Sequence, residues 1–170
     1  AQYDGNATNP LELYQDIPSM DKGIISAWVR VSNTNTGDYD LPVAKIKNIV
    51  NWILKSQAQE MAWDMTFIFV SNEFIIEQNK QYFDKSTPTD VISFNLSDSE
   101  NDPEGEVYIS VDMAQTNAND YNVTLDNELL RLVAHGVYHV LGYDDSTDDQ
   151  RQHMTALEND ALDFVYLKHS

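Results

Sequence analysis

The alternation of apolar and polar positions predicts alternating strands and helices in the first hundred residues. Residues 24–32, IISAWVRVS, alternate for most of their length, as a half-buried strand does. In PVAKIKNIVNWILKSQ the apolar residues recur at helical spacing, and Pro42 suits the start of a helix. A strand at residues 65–70, a helix at about 72–83 and a strand at 90–96 follow. The predicted order is therefore β, α, β, α, β.

The second half of the pattern predicts one more strand and then three helices. Residues 97–106, SDSENDPEGE, are acidic and rich in strand-breaking residues, so we expect a solvated loop. EVYISV follows as the fourth strand, and helices are expected at about residues 111–121, 125–141 and 148–167. No repeat or linker divides the chain. We therefore expect one domain over residues 1–170, with residues 1–23 as a peripheral extension.

Composition excludes several classes of protein. The chain is 42% apolar and 11% aromatic, and no apolar run approaches the roughly 18–20 residues of a membrane span. The first residues, AQYDGNATNP, lack the basic start and apolar core of a secretory signal, so we expect a cytoplasmic protein with no membrane partner. There is no cysteine. Any transition metal must then be bound by imidazole and carboxylate groups.

The net charge disfavours non-specific binding to nucleic acid. The chain has 28 acidic and 10 basic residues, a net charge of -18. Such a surface repels phosphates on average, so we expect no DNA partner. The nearest approach to a basic cluster is the pair Lys80 and Lys85 in NKQYFDKS.

The segment HGVYHVLGYDD has the spacing of a metal site. His135 and His139 are four residues apart, so a helix presents both imidazoles on one face. Gly142 can end that helix in a left-handed conformation, and the chain can then return Asp144 or Asp145 towards the histidines. Two imidazoles and one carboxylate suit zinc, with a fourth position for a water whose pKa falls to about 7.

Other interpretations of these residues remain open. Glu128, seven residues before His135, either orients an imidazole or accepts a proton from that face, or it lies on an ordinary solvated face. The same ligand types occur in non-haem iron oxygenases. His153 is a fourth candidate ligand or a polar position on the last helix. Gly136 stands where HExxH metalloproteases have their general base, which argues against a peptidase.

HGVYHVLGYDD resembles the HGxLHLxGYDH signature of the YbeY family, single-domain metal-dependent endoribonucleases of ribosomal RNA maturation and ribosome quality control. PTDVISF at residues 88–94 resembles the second family motif, and GEVYIS at 105–110 is similar to its GDI-type strand start. The similarity extends over about residues 46–162, through Glu128 and the MTALE segment. It implies an α+β fold, with a mixed sheet of about four strands packed with helices, a metalloprotease-like active-site helix and a metal at the open end of a cleft.

Two departures from the family pattern bear on activity. Asp145 stands where the family usually has a third histidine, and its negative charge should make a metal-bound water less acidic. Phe83 stands where the family usually has an arginine that is thought to handle the phosphate. Lys85 can replace that arginine only as a point charge, without a bidentate contact.

The leading hypothesis from the sequence is a zinc-dependent endoribonuclease acting on ribosomal RNA or the ribosome. In this hypothesis His135, His139 and Asp145 bind the metal, while His135, Glu128 and Lys85 take part in catalysis. Thr89, Asp90 and Ser93 would shape the floor of the cleft. A metal-dependent hydrolase of peptides or esters, and a ribosome-associated binding protein with a structural metal, are the alternatives.

Overall fold

The computed structural model describes residues 28–33, 39–59, 61–83 and 89–168. The predicted extension at residues 1–23, the first residues of the predicted strand at 24–32, and Lys85 lie outside the described residues. The backbone of Phe83 is described but its side chain is not.

The described residues form four strands and five α-helices in the predicted order. Their bounds are β1 Trp28–Asn33, α1 Val43–Ser56, β2 Asp64–Val70, α2 Asn72–Phe83, β3 Val91–Asn95, β4 Glu104–Ser110, α3 Val111–Tyr121, α4 Leu125–Val140 and α5 Asp148–Asp163. The helix predicted at residues 148–167 is α-helical only as far as Asp163, and a π-helical segment, Phe164–Lys168, follows it.

The strands form one mixed sheet in the order β1-β2-β4-β3. β1, β2 and β4 are parallel, and β3 pairs with β4 in the antiparallel direction. The expected α+β fold with a mixed sheet of about four strands is therefore confirmed. β3 stands at one end of this order, next to the strand on which α4 packs.

The acidic loop predicted at residues 97–106 is shorter than expected. β4 already begins at Glu104, where it pairs with Asp64 of β2. Glu106 is only 8% exposed, and its carboxylate accepts a hydrogen bond of 2.9 Å from the Tyr108 hydroxyl. The loop prediction was wrong for residues 104 and 105, because pairing with β2 outweighs a local composition that disfavours strands.

The two faces of the sheet are covered by different helices. Helices α1 and α4 pack on the face that carries Met65, Phe67 and Phe69 of β2 with Val107 and Ile109 of β4, all of them buried. Helix α2 contacts β4, and a smaller apolar cluster occupies the opposite face of the sheet. The larger core thus lies under α4, the helix that carries the two candidate histidines.

Two glycines allow α4 to lie close to the sheet. A methyl carbon built on Gly136 of α4 would lie 2.5 Å from Cγ1 of Val107 in β4. A methyl carbon built on Gly105 of β4 would lie 2.8 Å from Cγ1 of Val140 in α4. Both separations are far below van der Waals contact, so the spacing between helix and sheet depends on the missing side chains at these positions.

None of the helices in the described part of the chain is both long enough and apolar enough to cross a membrane.

Replacing Gly136 with alanine should lower the free energy of unfolding, because the added methyl group overpacks the contact with Val107 at a cost of about 1–3 kcal/mol. This loss should outweigh the roughly 1 kcal/mol that alanine gains over glycine inside a helix. Urea denaturation of Gly136→Ala, Val107→Ala and the double variant measures the effect. In the Val107→Ala background the same substitution should cost much less, and an equal loss in both backgrounds would contradict the close-packing explanation.

Candidate metal centre

The C-terminal half of α4 presents His135 and His139 on one face. The helix starts with a side-chain cap, in which the Thr124 hydroxyl accepts a hydrogen bond from the backbone N–H of Asn127. Because the two histidines are one turn apart, their rings lie edge to face with centroids 4.5 Å apart. Both side chains remain partly exposed. The face that they share is therefore open to an ion and to a further ligand.

The turn after α4 returns the chain to this face. Gly142 has φ +106, and its backbone N–H donates to the His139 carbonyl at 3.0 Å, which ends the helix as the sequence predicted. The chain then reverses, and Thr147 caps α5 in a reciprocal capping box with Gln150. Asp145 lies in the turn between Gly142 and Thr147 and faces the histidines. Asp144 is exposed and does not belong to the group formed by Asp145 and the two histidines.

The three ligand atoms form a nearly equilateral triangle. Nε2 of His135 and Nε2 of His139 are 3.0 Å apart, and Oδ2 of Asp145 lies 3.3 Å from the first and 3.2 Å from the second. A tetrahedral zinc ion at about 2.0–2.1 Å from each ligand would separate the ligand atoms by about 3.3 Å. The arrangement fits such an ion, with three protein ligands and one free position.

Each imidazole is held through its other ring nitrogen. Nδ1 of His135 donates to Oε2 of Glu158 at 2.6 Å, and Nδ1 of His139 donates to the carbonyl oxygen of Tyr143 at 2.9 Å. These contacts place the proton on Nδ1 and leave the Nε2 lone pair for a metal. Burial disfavours the charged imidazole of His135, but the hydrogen bond to Glu158 and the negative charges of Glu158, Asp145 and Asp90 together outweigh it, so the pKa of His135 is raised.

Glu158, which sequence reasoning did not single out, takes the orienting role that was one of the interpretations of Glu128. The Glu128 carboxylate accepts a hydrogen bond from Asn117 Nδ2 at 3.2 Å, and both imidazole Nδ1 atoms have other partners. That part of the prediction was wrong, because α5 rather than α4 itself supplies the carboxylate facing His135. Glu158 is 6% exposed on the buried face of α5, and a charged residue within an apolar stripe was the signal in the sequence.

A second contact links Glu158 to Arg131. The guanidinium NH1 of Arg131 donates to Oε1 of Glu158 at 3.0 Å, and its NH2 donates to Oδ1 of Asn159 at 2.8 Å. Glu158 therefore accepts from Arg131 with one oxygen and from His135 with the other. This arrangement fixes the carboxylate before any metal binds.

A cavity of about 460 Å³ adjoins the centre. Six polar side chains that contribute to its lining are Asp90, Asn117, Glu128, Arg131, His135 and Glu158. His135 belongs both to this cavity and to the ligand triangle.

Glu128 lies at the buried end of a short polar network. Asn117 Nδ2 donates to both Oε2 of Glu128 and Oδ2 of Asp90, each at 3.2 Å. Oε1 of Glu128 is buried and has no hydrogen-bond partner among the described residues. Burial is the main cause of the raised pKa of Glu128, which its hydrogen bond with Asn117 only partly offsets.

The other residues that the sequence suggested for the site do not all lie near the candidate metal ligands. Asp90 lines the cavity, but Ser93 lies where β3 meets α4, with Oγ 3.2 Å from a methyl carbon built on Gly136. His153 is exposed on α5, where its ring meets the Tyr143 ring edge to face, and it is not part of the ligand triangle. Lys85 lies outside the described residues.

Comparison with known proteins identifies relatives over most of the chain. The family model described as Endoribonuclease YbeY matches residues 31–165. The Endoribonuclease YbeY of Acholeplasma laidlawii is 36% identical over 130 residues, 76% of this chain and 93% of that protein. The Endoribonuclease YbeY of Christiangramia forsetii is 33% identical over 151 residues, 88% of this chain and 99% of that protein.

A solved structure is also similar to this fold. The solution structure of a target protein from Thermotoga maritima matches with a TM-score of 0.57 and 27% sequence identity, covering 81% of this chain and 90% of that chain.

Replacing Glu158 with glutamine should weaken metal binding by about 10–100-fold. The amide offers one acceptor oxygen, so it cannot serve His135 and Arg131 together, and it removes the charge that favours a strongly donating imidazole. Competition with a chromophoric chelator measures the affinity. Asp163→Asn, an exposed change of equal charge on the same helix, is the control, and equal affinities in the two variants would refute the orienting role.

Proposed function

The chain belongs to the endoribonuclease YbeY family, and on that basis we propose that it is a zinc-dependent endoribonuclease acting on ribosomal RNA. The observation that carries the proposal is the triangle of His135 Nε2, His139 Nε2 and Asp145 Oδ2, whose sides of 3.0–3.3 Å match tetrahedral ligation. The ribosome or its RNA is the proposed partner, the cytoplasm is the proposed location, and neither DNA nor a membrane is expected to bind.

Zinc is the ion that this donor set favours. Two imidazole nitrogens and one carboxylate oxygen with an open fourth position are the ligands of catalytic zinc. The same set occurs with non-haem iron, but there the three ligands occupy one face of an octahedron. When bound, the metal would supply an activated water and a Lewis acid for the phosphate.

The chain's own residues would orient the ligands and the substrate. Glu158 and the Tyr143 carbonyl hold the imidazoles, and Arg131 places a positive charge on the cavity wall beside His135. Lys85 remains proposed as a phosphate contact in place of the family arginine. Glu128 remains proposed as a proton acceptor or a substrate contact on the cavity side of the centre.

A peptidase is disfavoured by the packing of α4. The position after the first histidine, where HExxH proteases have a general base, is Gly136, and it faces Val107 in the sheet. A glutamate there would enter the core rather than the metal centre. A purely structural metal is disfavoured because three ligands leave the ion open towards a cavity, whereas structural zinc sites are closed by four protein ligands.

Protein purified without a metal-affinity tag should contain about one zinc per chain, measured by elemental mass spectrometry. Asp145→Ala should lose most of this zinc, because it removes a ligand of the triangle. Asp144→Ala, the exposed neighbour outside the triangle, should retain it. Equal zinc content in the two variants, or none in the wild type, would contradict the proposed site.

The wild-type protein should cleave structured ribosomal RNA fragments, and a chelator should abolish the cleavage. His135→Ala should lower the rate by roughly 1000-fold, because the metal supplies several kcal/mol of the catalysis. His153→Ala, a histidine on the surface of α5, should cleave at nearly the wild-type rate. Gel analysis of end-labelled RNA measures the rates. Equal rates in wild type and His135→Ala would remove the proposed function.

A further inference from the structure

Asp145 is the one member of the ligand triangle that does not lie on a helix. It belongs to the turn between Gly142 and Thr147, whereas both histidines belong to α4. The backbone of such a turn is ordered only at a cost in conformational entropy. An aspartate side chain is also short, so a shift of its backbone moves Oδ2 by a similar amount. The position of Oδ2 therefore depends on the contacts that fix this turn.

The first turn of α5 fixes the end of the segment that carries Asp145. Oε1 of Gln150 accepts hydrogen bonds from the backbone N–H and the hydroxyl of Ser146, at 2.9 and 3.1 Å. It also accepts from the backbone N–H of Thr147 at 3.1 Å, and the Thr147 hydroxyl accepts from the backbone N–H of Gln150. These bonds hold residues 146 and 147 against α5, but they do not reach Asp145.

Arg151 of α5 bonds the backbone of Asp145 itself. Its NH1 group donates to the carbonyl oxygen of Asp145 at 3.3 Å and to that of Ser146 at 3.1 Å. Its NH2 group pairs with the carboxylate of Asp148, in the first turn of the same helix. The guanidinium is planar and presents its donors in a fixed fork, so the pair with Asp148 helps to orient the bonds to the turn. Arg151 thus joins the backbone of a candidate ligand to α5.

The contacts of Arg151 separate a positioning effect from an effect of its charge. In the described part of the chain its side-chain partners are two carbonyl oxygens and Asp148, and not the three ligand atoms. Arg151 can therefore fix the turn without occupying the lone pairs of the Asp145 carboxylate. Its positive charge by itself opposes metal binding, because like charges repel. A positioning role and a purely electrostatic role thus predict opposite effects of removing Arg151.

We propose that Arg151 is a positioning residue for the metal centre, which holds the turn so that Oδ2 of Asp145 faces the two imidazoles before an ion binds. The inference rests on the proposed function through its metal site, but it does not depend on the RNA substrate. Contacts that fix a ligand beforehand raise metal affinity, because less freedom is lost when the ion binds. The two imidazoles are held in a comparable way by Glu158 and by the Tyr143 carbonyl.

Arg151→Met removes the donors and leaves an unbranched apolar chain in place of the aliphatic stem. It should weaken zinc binding about tenfold, the lower end of the effect expected from contacts that orient a ligand. Competition with a chromophoric chelator at fixed ionic strength measures the affinity of the purified protein. Arg151→Lys keeps the charge and can bond one carbonyl oxygen, so its affinity should lie between those of the wild type and Arg151→Met.

Arg30→Met is the matched control, because Arg30 is a partly exposed arginine of β1 that also pairs with an aspartate. It makes the same change of net charge and should leave the zinc affinity unchanged or slightly higher. A loss of the same size in Arg30→Met and Arg151→Met would contradict the proposal.

A double-mutant cycle with Asp145 separates positioning from a general effect on α5, which also carries Glu158. In the Asp145→Ala background the turn provides no ligand, so Arg151→Met should leave the remaining zinc affinity, measured with a weaker chelator, unchanged. Support for the fold of α5 would instead produce the same loss in both backgrounds. Equal losses, or no loss when Asp145 is present, overturn the proposal. If Arg151→Met does not fold, Arg151→Lys takes its place in the cycle, and the same outcomes decide.

The positioning role and the proposed function fail in different ways. Cleavage of RNA by the wild type, together with an unchanged zinc affinity in Arg151→Met, removes the positioning role and leaves the function. A loss of zinc affinity that depends on Asp145, in a protein that cleaves no RNA, removes the function and leaves the positioning role.

Discussion

The close contact between α4 and the sheet is the constraint on which the site depends. Gly136 and Gly105 bring the helix against β4, so the histidines beside Gly136 have a fixed height and rotation above the sheet. A side chain at either glycine would collide with the element that faces it, so the spacing between α4 and β4 would have to change. The same contact removes the position that a metalloprotease uses for its base. Gly136 therefore serves the packing of α4 against the sheet and offers no side chain for such a base.

Helix α5 supplies the carboxylate that orients a candidate metal ligand of α4. Glu158 orients His135 and is itself held by Arg131, which lies one turn before His135 on α4. The carboxylate is nearly buried, and its two oxygens serve two donors, so the cost of burying its charge is offset by two charge-assisted hydrogen bonds. Removing one partner would leave the other uncompensated. The candidate metal ligands are thus coupled to the packing between α4 and α5.

The net charge of -18 is compatible with an RNA substrate if the contacts are local. Arg131 lines the cavity, and Arg151 of α5 bonds the carbonyl oxygens of Asp145 and Ser146 beside the centre. Both guanidinium groups lie next to the ligands rather than on a distant surface. Long-range attraction for phosphates is therefore weak, and binding of RNA would depend on the proposed metal and on these short contacts.

The sequence by itself determined the element order, because the order follows from the periodicity of apolar positions. The four-residue spacing of His135 and His139 likewise predicted that both lie on one helix face. The mixed fold class came from the family resemblance of local motifs. Gly142 also indicated the turn that returns Asp145. Only the tertiary structure decided that Glu158, not Glu128, orients His135 and that residues 104 and 105 join the sheet. It also decided that Glu128 lines a cavity with Asn117 and Asp90. Each of these depends on a partner distant in the chain. Local patterns predict the conformation of a segment, but they do not identify the distant segment that packs against it.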